Sequence, residues 1–478
     1  MFRKLLVSAG AAVALAAGAL AGTVTVPAAQ AATQLPCDIY AAAGTPCVAA
    51  HSTVRALFAA YDGPLYQVKR ASDGATTNIS PLAAGGYANA ATQQSFCAGT
   101  SCTITEIYDQ SGHGNNLTIQ GPGGNGGQDA GANASALPVM AGGHLVYGVY
   151  VSPGVGYRNN STSGVATGSE AQGEYMVAAG THVNSGCCFD YGNAETNSRD
   201  NGNGHMDAIN FSKECWFSPC SGSGPWVQAD LENGLFAGAN GSDTSNLGNS
   251  SAFVTALVKN NGTTTYAIKG GNADSGGLTT WYSGALPDLG GYAPMHQEGA
   301  IILGTGGDDS NSSAGSFFEG VMTSGYPTDA ADNSVQASIV SVGYAAPPAG
   351  TTGIVAAGDN SAVCMDNNNG SATNGNKVQM WACDGNTAAQ NWTPESSGTV
   401  QIDGGCLDIT GASSANGTLI EWWPCNGGAN QVWQAENGQL VNPATGKCLD
   451  DPGFNTANGT QLILYSCNGG SNQQWSVP

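Results

Sequence analysis

The chain has 478 residues, of which 71 are glycine and only 10% are charged, and its formal net charge is -22. This composition disfavours long helices and favours short strands joined by many turns. Such an acidic surface disfavours binding to nucleic acid or anionic membranes, whereas a neutral partner meets no electrostatic penalty. The length allows two or three domains.

The N-terminus has the pattern of a secretory signal peptide. Arg3 and Lys4 precede a long apolar run, and Ala29-Gln30-Ala31 follows it as a small-residue cleavage site. We therefore expect residues 1–31 to be removed and the mature chain to be secreted. A membrane anchor is the alternative, but the Ala- and Gly-rich run and the cleavage site argue against it.

From residue 32 to residue 344 the chain alternates short β-forming runs with turns rich in Gly, Asn and Ser. Clear examples of such runs are Thr103–Tyr108, Phe253–Val258 and Ala300–Leu303. A helical period is visible mainly in Val54–Tyr61 and Asn333–Tyr344, which we predict to be helices. So many closely spaced strands predict a β-sandwich, and the whole chain is predicted to be all-β.

The chain has 14 cysteines, an even number that favours disulfides in an exported protein. There is no Cys-x-x-Cys or His-Glu-x-x-His pattern and the six histidines are scattered, so we predict no metal and no cofactor. Eight cysteines form close pairs in the first region: Cys37 with Cys47, Cys97 with Cys102, Cys187 beside Cys188, and Cys215 with Cys220.

The stretch from Gly224 to Phe236 is the best candidate for chemistry. Its middle reads as a strand with a polar face and an apolar face, and Asn233-Gly234 ends it with a turn. The polar face carries Trp226, Gln228, Asp230 and Glu232, and the apolar face carries Val227, Ala229 and Leu231. Two carboxylates this close raise at least one pKa, which suits acid–base or nucleophilic work on a sugar. A solvated strand face is the alternative.

A linker at residues 345–353, rich in Pro, Gly and Thr, precedes an internal threefold repeat. Each unit of about 42 residues opens with Cys-x-Asp and closes with Gln-x-Trp. The spacing lets each unit close its own disulfide, and we expect the closing tryptophans to share one core. The three expected pairs are Cys364–Cys383, Cys406–Cys425 and Cys448–Cys467.

Residues 354–478 therefore resemble the ricin-type β-trefoil lectins, also called carbohydrate-binding module family 13. In that family the aspartate of Cys-x-Asp binds sugar hydroxyls and an aromatic residue stacks on the ring. The resemblance implies three sugar sites: Asp366, Gln379 and Trp381; Asp408, Glu421, Trp423 and Asn430; Asp450, Tyr465 and Asn472. Ala389 and Ile463 each replace a polar residue, so we expect the second site to be the most complete.

Residues 37–344 resemble glycoside hydrolase family 54, the α-L-arabinofuranosidase B type. The matching stretches are long and dispersed, and they include Ile107–Gly112, Cys187–Thr196, Gly202–Met206, Trp226–Asn233, Glu298–Gly304 and Glu319–Pro327. The resemblance implies a β-sandwich enzyme that releases terminal arabinofuranose with retention. Retention requires two carboxyl groups about 5–5.5 Å apart.

By motif match, the resemblance makes Glu232 the nucleophile and Asp308 the acid/base. It implies that substrate is bound by Asp230, Asn233, Gly234, Gly307, Trp216 and a vicinal disulfide between Cys187 and Cys188. Separately paired or free thiols are the alternative for that cysteine pair, and Phe217 is the alternative aromatic wall. Asp309 stands where the family more often has an amide, and we expect it to be a solvated loop residue.

The implied function is a secreted arabinofuranosidase acting on arabinoxylan and arabinan, held on plant cell-wall polysaccharide by its lectin domain. We expect a monomer with no nucleic-acid or membrane partner. Fungal relatives carry a β-trefoil of another pattern, which leaves the lectin's ligand open. The alternatives are a non-catalytic carbohydrate-binding protein, or another exo-glycosidase such as a β-xylosidase or exo-galactanase on the same scaffold.

Overall fold

The computed structural model describes residues 34–97, 100–241, 243–289, 291–347, 355–356, 363–383, 387–395, 397–436 and 438–476. The predicted signal peptide and most of the predicted linker lie outside these ranges. No helix among the described residues has both the length and the apolar character needed to cross a membrane.

The N-terminal region consists mainly of two large antiparallel sheets. The seven-stranded sheet has the order β1-β19-β10-β15-β16-β17, with β8 also paired to β19. Its strands are β1 Cys47–Ser52, β8 Val149–Val151, β10 Gln172–Ala178, β15 Val254–Asn260, β16 Thr265–Asn272, β17 Thr279–Ala285 and β19 Gly315–Ser324. A separate hairpin consists of β6 Pro138–Ala141 and β7 His144–Tyr147.

The ten-stranded sheet has the order β14-β13-β12-β11-β18-β9-β5-β4-β2-β3. Its strands are β2 Tyr66–Arg70, β3 Thr76–Ile79, β4 Cys102–Ile107, β5 Leu117–Ile119, β9 Tyr157–Asn159, β11 Asp190–Ala194, β12 Asp207–Ser212, β13 Trp226–Asp230, β14 Leu235–Phe236 and β18 Ala300–Leu303. The three predicted β-runs correspond to β4, β15 and β18, which confirms them within one or two residues.

The apolar residues of both sheets form one buried core, to which the seven-stranded sheet contributes Tyr175 and Val258. From β13 and the turn after it, Val227, Ala229 and Leu231 all belong to this core. The predicted apolar face of the stretch is therefore confirmed. The other face of β13 is buried too, so the alternative of a solvated strand face is wrong.

Among the described residues the α-helices are few and short: α1 Pro36–Ala42, α2 Ala90–Cys97, α3 Asp329–Val340 and α4 Thr387–Gln390. The predicted helix at 333–344 corresponds to α3, which begins earlier because the Thr328 side chain accepts the backbone N–H of Ala331. Lys259 and Lys269 bind the two first-turn aspartates of α3 and hold it against the seven-stranded sheet.

The predicted helix at Val54–Tyr61 is wrong. Residues 54–57 are all buried, so this half of the segment has no solvent-facing stripe and its apolar spacing reflects burial alone. The side chain of Arg55 forms a buried ion pair with Glu319, and Ser52 Oγ accepts the backbone N–H groups of Val54 and Arg55. These contacts replace the hydrogen bonds that a helix would make.

The C-terminal region is a β-trefoil, and its described residues include twelve strands that form one network. They are β20 Val355–Ala356, β21 Val363–Asn367, β22 Asn376–Ala382, β23 Thr393–Pro394, β24 Val400–Ile402, β25 Gly405–Ile409, β26 Thr418–Pro424, β27 Gln434–Glu436, β28 Gln439–Asn442, β29 Lys447–Asp450, β30 Ile463–Ser466 and β31 Trp475–Ser476. The predicted shared core is confirmed, because Trp392, Trp433 and Trp475 are buried in one cluster. The all-β prediction, a sandwich followed by a trefoil, is thus confirmed.

All seven expected disulfides are present. Each of the three trefoil bridges joins the first strand of a hairpin to the residue that directly follows its second strand. Because each links cysteines 19 residues apart, the bridges restrict the unfolded chain of every unit equally.

Candidate active site

The end of β13 positions the predicted nucleophile. The strand stops at Asp230, and Leu231 turns into the core. Glu232 then adopts a left-handed backbone conformation with φ +83°, which is uncommon for a residue with a side chain. Its backbone N–H donates to Asp230 Oδ1 at 2.9 Å, which fixes the turn. This strained residue lies beside a cavity, as functional residues often do.

Three backbone amides hold the Glu232 carboxylate. Oε1 accepts from the N–H groups of Asn201 at 2.5 Å and Gly202 at 2.6 Å, and Oε2 accepts from His205 at 3.1 Å. Burial raises the pKa of Glu232, while the three amide hydrogen bonds oppose that rise because they favour the charged form. The arrangement fixes the direction of the carboxylate, as a nucleophile requires.

The predicted acid/base, Asp308, lies on the loop that follows β18. Asp308 Oδ1 accepts from the backbone N–H of Ser310 at 3.0 Å and from its hydroxyl at 2.5 Å. The carbonyl of Asp308 accepts from the N–H of Asn125 at 2.8 Å, so a second loop supports it. Its side chain stays partly exposed, which leaves a carboxyl oxygen available for proton transfer.

Asp309 is not the solvated loop residue that we predicted. It is fully buried, has φ +74°, and accepts the backbone N–H of Gly123 at 3.0 Å. Burial raises the pKa of its carboxyl. The loop 121–126 packs over this side chain, an interaction between distant segments that adjacency to Asp308 in the sequence did not reveal. Asp309 therefore holds the two loops together beneath the site.

One cavity of about 280 Å³ unites the predicted catalytic and substrate-binding residues. Its lining includes Glu232, Asp308, Asp230, Asn233, Gly234, Gly307, Cys187, Cys188 and Trp216. The indole of Trp216 is 52% exposed at the rim, whereas the ring of Phe217 packs on Phe236 at a centroid distance of 4.8 Å. Trp216, rather than Phe217, therefore supplies the aromatic wall.

Asp230 and the vicinal disulfide lie together in this cavity. An Asp230 carboxyl oxygen and the sulfur atoms of Cys187 and Cys188 are within 4.8 Å of one another. Both sulfurs are joined in the disulfide, so neither is a thiolate that could bind a metal. Burial raises the pKa of the Asp190 and Asp230 carboxyls, that of Asp190 to about 7, and repulsion from Asp190 raises the pKa of Asp230 further. The pair therefore keeps one proton near neutral pH.

The sequence reasoning missed other carboxyl groups of the site, Glu195, Asp190 and Asp200. Glu195 lines the cavity, is 1% exposed, and its Oε2 has no hydrogen-bond partner. Burial, with repulsion from Glu232 and Asp230, raises the pKa of Glu195 to about 8. Gly307 leaves room for this carboxyl, since a Cβ there would clash with Oε2. Glu195 lay within a matching stretch, but no spacing rule marked it.

The three trefoil units present equivalent residues on equivalent hairpins. Each Cys-x-Asp aspartate is directly opposite the equivalent residue of the next strand: Asp366 opposite Gln379 and Asp408 opposite Glu421, both assigned to those sites, and Asp450 opposite Ile463, which replaces the polar residue in the third unit. The aromatic residues Trp381, Trp423 and Tyr465 are opposite the first cysteine of each unit. The structure thus brings each predicted group together.

The glutamines of Gln-x-Trp orient these aspartates. Gln390, Gln431 and Gln473 each donate to the aspartate of their own unit, at 3.2, 2.7 and 2.7 Å. In the second unit Asn430 also donates to both oxygens of Asp408 at 2.9 Å. In the third unit Asn472 donates to Asp450 at 3.0 Å. These bonds fix the directions of the three aspartate side chains.

Two family comparisons cover nearly all of the described residues. Residues 36–345 match the family described as alpha-L-arabinofuranosidase B, catalytic. Residues 351–475 match the ricin-type beta-trefoil lectin domain.

Individual relatives match the first region closely. The probable alpha-L-arabinofuranosidase B of Aspergillus terreus is 60% identical over 321 residues, 66% of this chain and 63% of the relative. A Trichoderma koningii protein named arabinofuranosidase/B-xylosidase is 60% identical over 319 residues, with the same coverage. The chain thus spans about 63% of the length of these curated relatives.

A solved structure matches both regions. It is the crystal structure of an arabinofuranosidase complexed with arabinofuranosyl-alpha-1,2-xylobiose, which has 39% sequence identity and a TM-score of 0.65. The match covers 92% of this chain and 98% of that chain.

Proposed function

Because the chain belongs to the alpha-L-arabinofuranosidase B catalytic-domain family, we propose that it releases terminal α-L-arabinofuranosyl groups from arabinoxylan and arabinan with retention of configuration. The observation that carries the proposal is the cavity that both Glu232 and Asp308 line. Glu232 is held there by three amides and Asp308 by Ser310, so the two carboxyl groups have different environments. A retaining glycosidase needs such a pair.

In the proposed first step, a Glu232 carboxylate oxygen attacks the anomeric carbon of the arabinofuranosyl group. The bond from that carbon to the leaving oxygen breaks, and Asp308 transfers its proton to this oxygen. In the second step, Asp308 removes a proton from water, and the water oxygen displaces Glu232 from the anomeric carbon. Arabinose leaves, Glu232 is again a carboxylate, and Asp308 is again protonated.

The remaining cavity residues suit a single furanose ring. Asp230, Asn233 and the backbone of Gly307 offer polar contacts to hydroxyl groups, and the Cys187–Cys188 disulfide offers an apolar surface. The Asp230 carboxyl accepts the Glu232 N–H, which fixes its direction before the sugar arrives. Trp216 at the rim offers a stacking surface for the leaving group.

We further propose that the protein is secreted and acts as a monomer on plant cell-wall polysaccharide. Its seven disulfides suit an oxidising compartment. The trefoil would bind polymer and raise the local concentration of substrate without taking part in the chemistry.

The test is hydrolysis of an aryl α-L-arabinofuranoside by the parent, Glu232→Gln and Asp308→Asn, with Asp288→Asn as an exposed control. We expect release by the parent and control and a loss of at least about 10³-fold in kcat for Glu232→Gln. NMR of the first-formed sugar reports retention. Full activity of Glu232→Gln would refute the assignment, and inactivity of a folded parent would favour a non-catalytic carbohydrate-binding protein.

A β-xylosidase activity is the second candidate, because the Trichoderma koningii relative carries both names. An aryl β-D-xyloside assayed beside the arabinofuranoside tests it. If one site performs both reactions, Glu232→Gln must abolish both. A residual xylosidase activity in that variant would require a different nucleophile.

A further inference from the structure

A second cavity, of about 420 Å³, lies over the outer face of the ten-stranded sheet. Its floor uses alternate residues around β5, namely Asn116, Thr118 and Gln120, because Leu117 points into the core. Arg158 of β9 is directly opposite Thr118, and Asn160 follows it. We call this cavity the amide groove.

The amide groove has the chemistry of a site for a neutral, hydroxyl-rich ligand. Amide and hydroxyl side chains dominate its lining, and no carboxylate is among the described residues that line it. The one cation among these described lining residues, Arg158, already donates to Asn160 Oδ1 at 2.5 Å and to the carbonyls of Gly307 and Glu195. The guanidinium is therefore committed to the protein and is not free to select an anion.

Gln120 supplies unused hydrogen-bonding capacity in this lining. Its side chain is 1% exposed, Nε2 donates to the Gly121 carbonyl at 2.7 Å, and Oε1 has no partner. A buried acceptor without a partner is unfavourable, because it has lost its hydrogen bonds to water and gained none in the protein. A small shift of the side chain toward a sugar hydroxyl would satisfy it.

The amide groove is joined to the active-site cavity by shared loops. Gly121 and Asn125 belong to one loop and line the amide groove and the active-site cavity respectively. A second segment does the same: Ser198 lines the amide groove, and Glu195, three residues earlier, lines the active-site cavity. The N–H of Gly124 donates to the Ser198 carbonyl at 2.8 Å, which ties the two loops together. The two cavities therefore lie on either side of one loop pair.

We propose that the amide groove binds the main chain of the neutral polysaccharide whose terminal arabinofuranosyl branch occupies the active-site cavity. This inference rests on the proposed function and adds to it a site for the sugars that are not cleaved. Contacts remote from the reacting bond align the branch with Glu232 and Asp308. An aryl arabinofuranoside has no main chain and cannot use the groove.

The test uses variants of the full chain in which a tryptophan side chain fills the amide groove. Thr118→Trp and Ser161→Trp place a bulky ring in it at exposed positions, and Thr280→Trp places the same ring on an exposed strand position of the other sheet. The measurement is kcat/KM on an arabinofuranosyl-substituted xylo-oligosaccharide divided by kcat/KM on an aryl arabinofuranoside. We expect this ratio to fall about tenfold in the groove variants and to stay unchanged in Thr280→Trp.

Two outcomes separate this inference from the function on which it rests. If the parent is active and both groove variants keep its kcat/KM ratio, the proposed main-chain site in the amide groove is wrong, and the arabinofuranosidase proposal still stands. If a folded parent cleaves neither substrate, the proposed function fails. Calorimetric titration with xylohexaose then tests whether the amide groove binds a polysaccharide main chain. Loss of a binding event in Thr118→Trp, relative to Thr280→Trp, would support the site, and identical titrations would overturn it.

Discussion

At the scale of single residues, Glu195 adds a carboxyl group to a site that needs only two. It is buried beside Glu232, and burial and its acidic neighbours raise its pKa to about 8. Below that pH the group is neutral and adds no charge to the cavity. Above it, a second negative charge in the cavity would repel the Glu232 carboxylate and disturb the position in which its three amide donors hold it.

We therefore predict that Glu195→Gln moves the alkaline limb of the pH–activity profile to higher pH. Glutamine has nearly the shape of the protonated acid but cannot ionise, so activity should persist above about pH 8. The measurement is kcat/KM for an aryl arabinofuranoside from pH 4 to pH 10, with exposed Glu436→Gln as the control. A limb that stays in place would mean that Glu195 does not affect the reacting pair.

At the scale of secondary-structure elements, the trefoil hairpins show how equal backbones give unequal sites. In the first unit Gln379 donates to Asp366 at 2.9 Å and so occupies part of the aspartate's accepting capacity. In the third unit Ile463 is opposite Asp450 and offers no polar atom. In the second unit Glu421 is opposite Asp408, so both side chains accept hydrogen bonds.

We predict that the second trefoil site binds polysaccharide most strongly. Trp381→Ala, Trp423→Ala and Tyr465→Ala should therefore reduce retention on insoluble arabinoxylan to different extents, with Trp423→Ala the most severe by about 5- to 10-fold, because stacking contributes about 1 kcal/mol. Depletion of protein from solution measures this directly. Equal losses in the three variants would show that the polar residues do not distinguish the sites.

The secondary-structure elements also show which parts of the fold could be predicted from the sequence. β4, β15, β18 and the trefoil units were predictable because period-two runs and a 42-residue repeat are local signals. The Val54–Tyr61 segment was not, because its conformation depends on the Arg55–Glu319 ion pair, which joins residues 264 positions apart. For the same reason Glu195 and the burial of Asp309 escaped notice, although the residues assigned by motif all line one cavity.

At the scale of the whole molecule, the sandwich contains many buried acids. Burial raises the pKa of Asp207 and of Asp190 to about 7, and that of Glu195 to about 8. In the unfolded chain such groups titrate near about pH 4. Between these values the folded protein holds more protons than the unfolded chain. Their contribution to stability is therefore complete below about pH 4 and is lost as the pH rises through about 7 to 8.

We predict that Tm is higher at pH 5 than at pH 8 and that Asp207→Asn makes this difference smaller. The asparagine cannot ionise, so one source of the loss disappears, whereas exposed Asp288→Asn should leave the slope unchanged. Thermal unfolding followed by circular dichroism measures Tm at the two pH values for the parent and both variants. A Tm that rises from pH 5 to pH 8 would mean that the buried acids ionise without penalty.

The two domains have separate hydrophobic cores, so chemistry and attachment should be separable. A full-length variant that combines Trp381→Ala, Trp423→Ala and Tyr465→Ala removes partly exposed rings without touching either core. It should hydrolyse an aryl arabinofuranoside as fast as the parent. On dilute insoluble arabinoxylan it should be slower by about 10-fold or more, because several weak sites on one chain act together through their high effective concentration.

Raising the polymer concentration should restore the rate of this variant, since the trefoil changes the fraction of enzyme bound to polymer and not the activation barrier of hydrolysis. A rate deficit that persists at saturating polymer would place trefoil residues in the catalytic step, which the separate cores argue against.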